Sequence, residues 1–155
     1  HMDKINRKIL SIIQKDCTVS VKEISQMVGL SYTPTYERIK YLEESGVIRG
    51  RVTVLEPKKV GIKFFAYCNI ALKEPSRESL DNFEEKVKAM PEVMEVMSLS
   101  GNYDYMLKIA TTDIEAYNEF ITSKIANIKN IGQYHSNIVM SVVKNETAYY
   151  IPEEV

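Results

Sequence analysis

SVKEISQMVGLSYTPTYERIKYLEESG, residues 20–46, reads as two short amphipathic helices joined by the tight turn Val28-Gly29-Leu30-Ser31. Ser20 and Glu23 form an S-x-x-E capping box, in which the hydroxyl and the carboxylate each accept from the other residue's backbone amide. Ile24, Met27 and Val28 give the first helix one apolar stripe. Gly29 stands just past its end, where a left-handed residue is accommodated most easily without a Cβ. Ser31 can cap the second helix, and Pro34 falls in its first turn, where no intrahelical N–H is needed. Helical spacing turns Tyr36, Ile39 and Leu42 inward and leaves Thr33, Thr35, Glu37, Arg38, Lys40 and Tyr41 outward. A helix, a glycine turn and a second helix with a polar, partly basic face describe a helix-turn-helix, although an ordinary helical hairpin fits the same stretch.

The flanks extend this unit. DKINRKILSIIQKD, residues 3–16, places Ile5, Ile9, Ile12 and Ile13 on one helical face, with Lys4, Arg7, Lys8 and Lys15 mostly opposite. This helix completes a three-helix core, and Cys17 in the connector that follows reads as a packing residue. Beyond Gly46, VIRGRVTVL (residues 47–55) is either a small hairpin, the wing of a winged helix-turn-helix, or an extended linker. Arg49 and Arg51 share one side of it, where they can meet phosphates or simply protect a solvated edge. EPKKVG, residues 56–61, has the proline and glycine of a domain boundary. The expected organisation is a DNA-binding domain over 2–50, a linker or hairpin over 51–61 and a second domain over 62–155.

From Lys63 the period becomes two. Phe64, Ala66, Cys68, Ile70 and Leu72 alternate with Phe65, Tyr67, Asn69 and Ala71, a strand with one strongly apolar face. Ser76 caps a helix that turns Leu80, Phe83, Val87 and Met90 inward. Residues 93–100 and 103–111 form a hairpin around Gly101-Asn102, a pair suited to positive φ. Thr112 and Glu115 make a second capping box, opening a helix that buries Tyr117, Phe120, Ile121, Ile125 and Ile128. Residues 133–144 supply a last strand. The order β-α-β-β-α-β is the ferredoxin-like plan, an antiparallel sheet with both helices on one face. The fold class is therefore α+β. The uncovered sheet face, with Phe65, Tyr67, Val139 and Val143 as lining, predicts association into at least a dimer. The tail from Asn145, with Tyr149, Tyr150 and Ile151, can add a strand to a neighbour or pack on its own chain.

Composition narrows the function classes. With 45% hydrophobic and 26% charged residues the chain is typical of a globular domain or two, and no run is long and apolar enough for a membrane span. No signal-peptide pattern opens it, and His1 is set aside as an expression remnant. Two isolated cysteines make neither a disulfide framework nor a metal site, and a reducing cytoplasm is the expected compartment. Residues 1–60 carry eleven lysines and arginines against seven acids, whereas residues 61–155 carry nine against fourteen. A basic first part fused to an acidic second part suits a polyanion-binding module joined to one that avoids polyanions.

Two stretches, ISQMVGLSYTPTYERIKYLEESGVI and LSGNYDYMLKIATTDIEAYNEF, resemble the Lrp/AsnC (feast/famine) family of transcriptional regulators, and the resemblance covers essentially the chain after His1. It implies a sequence-specific, nucleoid-associated regulator of double-stranded DNA, without cofactor, metal or catalysis, built as a homodimer that assembles to an octamer. It also implies a small amino-acid effector bound between subunits of the second domain. By position that site comprises Gly101, Asn102, Tyr103 and Asp104 at the turn, with Ile114, Asn137 and Ile138 from a neighbouring segment or subunit. Backbone amides at the glycine turn suit a carboxylate, and Asp104 suits an ammonium. Asp104 can equally bond the local backbone. Asn137 is more polar than the lining expected there, and Tyr32 stands where relatives often carry proline or a small residue.

On this reading the second helix of residues 20–46 enters the major groove, with Tyr32, Thr33 and Thr35 as base readers and Arg38 reading guanine or binding phosphate. Lys40 and Arg51 are expected at phosphates. Two other classes fit parts of the chain. A ferredoxin-like domain also serves as the amino-acid-sensing subunit of metabolic enzymes, but His135 has no nucleophile or metal-ligand partner in view. The same strand order builds RNA-recognition motifs, yet YDYMLK (residues 103–108) lacks that motif and the domain is acidic.

Overall fold

A computed structural model describes residues 2–153. The chain divides into two compact units: Leu55–Val142 is one, and the residues up to Val54 together with those from Val143 onward are the other.

The first unit holds three helices, α1 (Lys4–Ile13), α2 (Val21–Val28) and α3 (Tyr32–Glu44). Asp3 starts α1 by accepting from the Asn6 amide at 2.8 Å, and Ser20 starts α2 by accepting from Glu23 at 3.1 Å. Gly29 ends α2 at φ +73°, a left-handed position that any Cβ would strain. Ile9, Ile13, Ile24, Ile39 and Leu42 form the core, with Ile5, Ile12, Val28 and Ile48 packed around it. Met27, expected in the α2 stripe, is half exposed, because Ser25 and not Met27 shares the buried side with Ile24. No described residue between Gly46 and Pro57 lies in a strand, so of the two readings of residues 47–55, hairpin or extended linker, the linker is the one found.

Residues after Val142, expected with the second domain, belong to the helical unit. The Gln14 side chain both accepts from the Tyr149 amide and donates to the Tyr149 carbonyl at 2.8 Å, and Arg7 donates to the Pro152 carbonyl at 3.0 Å. The tail therefore packs on its own chain, along α1.

The second unit is a four-stranded antiparallel sheet, β1 (Phe64–Leu72), β2 (Val93–Ser98), β3 (Tyr105–Thr111) and β4 (Ile131–Ile138), in the order β2-β3-β1-β4. Helices α4 (Arg77–Lys88) and α5 (Ile114–Phe120) lie between β1 and β2 and between β3 and β4 in the chain. This is the ferredoxin-like plan read from the sequence. One face of the sheet carries Ala66, Cys68, Ile70, Leu107 and Ile109, all fully buried in a core with Phe83, Val87, Phe120 and Ile125. The helix after β3 is capped one residue later than expected: Asp113, not Thr112, accepts from the Ala116 amide at 2.7 Å. After Phe120 it widens into a π turn over Ile121–Ile125, closed by the Ala126 amide on the Ile121 carbonyl at 2.8 Å.

Two differences concern the strands. The β2–β3 connection is not a tight hairpin at Gly101-Asn102 but the whole stretch 99–104. Asp104 leaves the ladder because its amide and carboxylate bond the end of β1. The last strand ends at Ile138, not at the expected 144, so Val143 lies past the ladder.

Candidate functional site

Helix α3 is built with two unlike sides. Thr35, Ile39 and Leu42 are buried, at spacings of four and three residues that hold one stripe. Thr35 tolerates burial because its hydroxyl donates to the Ser31 carbonyl at 2.9 Å. It is therefore a packing residue, and its expected place among the base readers is withdrawn. Tyr36, expected inward, takes the other side: its ring is 44% exposed and stacks on that of Tyr32, 54% exposed, with centroids 6.3 Å apart and planes 8° from parallel. Placing Thr35 in the stripe rotates Tyr36 out of it. Thr33, Glu37, Lys40 and Tyr41 complete the outward side.

The arginines have other engagements. Arg38 Nη1 donates to the Asp3 carboxylate at 2.7 Å and to the Asn6 amide oxygen at 3.0 Å. That guanidinium ties α3 to the start of α1, and with the Asn6 amide it holds the Asp3 carboxyl below its ordinary range. Arg38 is thus turned toward α1 rather than standing free on the outward side, where its helical position predicts it. Arg51 pairs with Glu43 at 2.9 Å, both ends well exposed, a contact that solvent and a phosphate can exchange easily. Lys40 is exposed, with no ion-pair partner among the described residues.

The effector candidates fall into two groups at opposite ends of β1. Gly101 (φ +127°), Asn102, Tyr103 and Asp104 sit at one end. There the Leu72 amide donates to the Asp104 carboxylate, and the Asp104 amide donates to the Ile70 carbonyl, both at 2.8 Å. One carboxylate oxygen is thereby committed to the backbone and the other is not. At the far end, Asn137 and Ile138 pair with Tyr67 and Ala66, and Asn137 Nδ2 donates to the Tyr67 carbonyl at 3.2 Å. Ile114 opens α5 three residues beyond Thr111, the partner of Phe64. Leu72 stands five residue steps from Tyr67 along the strand, roughly 17 Å at the rise of an antiparallel strand. One chain does not bring the two groups together. Clefts of this unit run along α4, bordered by residues such as Glu74, Asp81, Glu84 and Lys88, and none of the seven candidates lines them.

The second face of the sheet carries none of this unit's buried core. Phe65 and Tyr67 of β1, Met106 of β3 and Met97 of β2 share it, with the pairs Tyr67↔Lys108, Met97↔Met106 and Glu95↔Lys108 fixing the register. Lys108 lies 5.9 Å from the Phe65 ring centre and 3.7 Å from the Glu95 carboxylate. Among the described residues no group of His, Cys, Asp and Glu could hold a metal ion, and no helix is long and apolar enough to cross a membrane.

Residues 2–49 match the family model for a winged helix-turn-helix DNA-binding unit, and residues 65–149 match that for the Lrp/AsnC ligand binding domain. The DNA-binding transcriptional activator DecR of Escherichia coli K12 is 33% identical over 95% of this chain and 97% of its own length. Among solved structures, an AsnC family transcriptional regulator from Agrobacterium tumefaciens superposes with a TM-score of 0.93 at 40% identity, covering 99% of this chain and 100% of its own. A Neisseria meningitidis transcriptional regulator, solved as its L-Met complex, superposes with a TM-score of 0.94 at 26% identity over 100% of both chains.

Proposed function

The chain belongs to the Lrp/AsnC family of DNA-binding transcriptional regulators, and on that premise we propose that paired α3 helices read its operator while an amino acid held between copies of the sheet unit sets their spacing. The observation that carries the DNA half is the division of α3: one side packed by Thr35, Ile39 and Leu42, the other left with exposed side chains from its first residue on. A recognition helix needs such a free side, and its N-terminal residues meet base edges. Tyr32 and Thr33 are the readers in this assignment, with Lys40 and Arg51 at phosphates. The chain has no catalytic part in it.

The effector half rests on two observations. The candidates lie at both ends of β1, so a closed site needs a second copy, and the sheet's second face is a partly apolar surface that carries none of its unit's buried core. An amino acid would place its carboxylate on the amides near Gly101 and its ammonium on the uncommitted oxygen of Asp104, with Ile114, Asn137 and Ile138 coming from the neighbour. Association through the open face makes the dimer, and contacts between dimers carry the assembly to an octamer. A ligand that favours one such assembly changes DNA affinity by the same free energy with which DNA changes ligand affinity. The regulator works where the DNA is, at the nucleoid.

A panel of amino acids tested by thermal shift and by light scattering checks this. One of them is expected to raise the melting temperature by mass action and to move the assembly size. A panel in which none does either removes the effector half and leaves DNA binding standing.

A further inference from the structure

We propose that Tyr32 and Tyr36, stacked on the outward side of α3, are the specificity-determining pair of this regulator, reading thymine-bearing steps of the operator where an arginine would read guanine. This rests on α3 being the DNA-reading helix.

Three observations carry it. The rings stand one helical turn apart, nearly parallel, and roughly half of each is open to solvent. Stacking holds each ring in place before DNA arrives, so little side-chain freedom is left to lose on binding. Second, the strongest alternative reader on this helix is held elsewhere. Arg38 is turned toward α1, where its Nη1 holds Asp3 and Asn6, so a bidentate contact to guanine O6 and N7 would have to give up both bonds. Third, the remaining outward groups do not compensate. Lys40 stands two turns into the helix, where phosphates are the nearer partners, and Glu37 accepts only, which suits cytosine N4 and opposes phosphate.

What the pair offers is chemically definite. Ring faces and edges are apolar surface for the thymine 5-methyl group, the one apolar feature in the major groove. Each phenol hydroxyl both donates and accepts, so it can meet thymine O4 or the N6 and N7 edge of the paired adenine. Two such rings a turn apart span neighbouring base pairs, so the preferred operator has adjacent thymines in each half-site and no required guanine beneath α3.

The test starts from the duplex that the full chain selects out of a randomised DNA library. Its thymines are replaced one at a time by deoxyuridine, which removes only the methyl group. Wild-type affinity is expected to fall about fourfold at each of one or two adjacent positions, the worth of one buried methyl. The Y32A/Y36A double variant should lose this sensitivity, and its operator-to-scrambled affinity ratio should drop at least tenfold with the salt dependence unchanged, since no cation is removed. Lys40→Ala is the contrast: a weaker, less salt-sensitive complex with the ratio kept. Indifference of the wild type to every uracil replacement overturns the inference whether or not the variant folds. So does a double variant that keeps both ratio and uracil sensitivity. A library that yields no preferred duplex at all fails the DNA-reading assignment itself, and the inference with it.

Discussion

Arg38 shows why single residues are harder to read than elements. A helical wheel puts it outward, and arginine on the outward side of a recognition helix suggests DNA. Yet its long apolar stem lets it cross to α1, where Asp3 already serves as the N-cap and Asn6 offers a second acceptor. Nothing local in the sequence links position 38 to positions 3 and 6. Tyr36 is the converse: amphipathic, it fits either side, and the small hydroxyl of Thr35 decides by satisfying itself on Ser31. We expect Arg38→Ala to destabilise the helical unit by about 1 kcal/mol, as for a partly exposed ion pair, while the operator-to-scrambled ratio stays constant. Asp3→Asn keeps the cap and removes the charge, which gives the pH dependence its sign. The Asp3 carboxyl sits below its ordinary 3.8 in the fold, so its contribution is present above that value and is lost as pH falls through the folded one. The stability gap between wild type and D3N, measured by denaturant titration, should be open at pH 6 and closed in strong acid. Asp104 separates two roles in the same way. Removing the acceptor of the Leu72 amide by Asp104→Ala should cost about 1–3 kcal/mol. Asp104→Asn keeps an acceptor, so it should melt like wild type yet lose the amino-acid-induced thermal shift.

Elements were far more legible, because periodicity averages over many residues. The α5 core, Tyr117, Phe120, Ile121, Ile125 and Ile128, is buried throughout, and so is the alternating face of β1 from Ala66 to Leu72. Boundaries were less so, since they depend on partners remote in sequence: β3 begins only at Tyr105 because Asp104 is captured by Ile70 and Leu72. The π turn at Ile121–Ile125 left no trace in the pattern, since one extra residue per turn barely disturbs a short apolar stripe. Gly132 is another feature visible only in three dimensions. The register between β1 and β4 shifts at Ala71/Leu72, and a Cβ on Gly132 would stand 3.0 Å from the Ala71 carbonyl oxygen and 3.1 Å from the Lys73 nitrogen. Both neighbours are backbone, so neither can swing aside as a side chain would. Gly132→Ala should therefore lower the stability of the sheet unit by about 1–3 kcal/mol, read as a lower denaturation midpoint with the helical unit's transition unchanged.

For the whole molecule the governing fact is the sheet face that carries none of its unit's buried core. Alternation along β1 announced it in the sequence, since Phe65 and Tyr67 fall on the side that both helices avoid. The other contributors, Met97 and Met106, required the β2–β3 register. These four side chains make the face partly apolar, and the Lys108–Glu95 pair stands among them, since Lys108 of the central strand β3 lies opposite Tyr67, between the rows of Ala110 and Met106. A twofold axis through such a face would bring each apolar patch and each charge onto its own copy, the condition for a self-complementary interface. It also explains why the seven effector candidates look incoherent in one chain, since the two ends of β1 can meet only across copies. Met106→Glu tests the point without touching the helix-side core, because Met106 points away from it. A carboxylate on that face would be desolvated in the interface, and the Lys108 ammonium nearest it is already paired with Glu95. Light scattering should then report the mass of a single chain where wild type gives a multiple, with the circular dichroism spectrum unchanged. DNA affinity should fall steeply in the same variant, because two α3 helices on one particle bind as a linked pair and two separated ones do not. An M106E protein that keeps both its assembly and its operator affinity would place the contact between copies elsewhere than on this face.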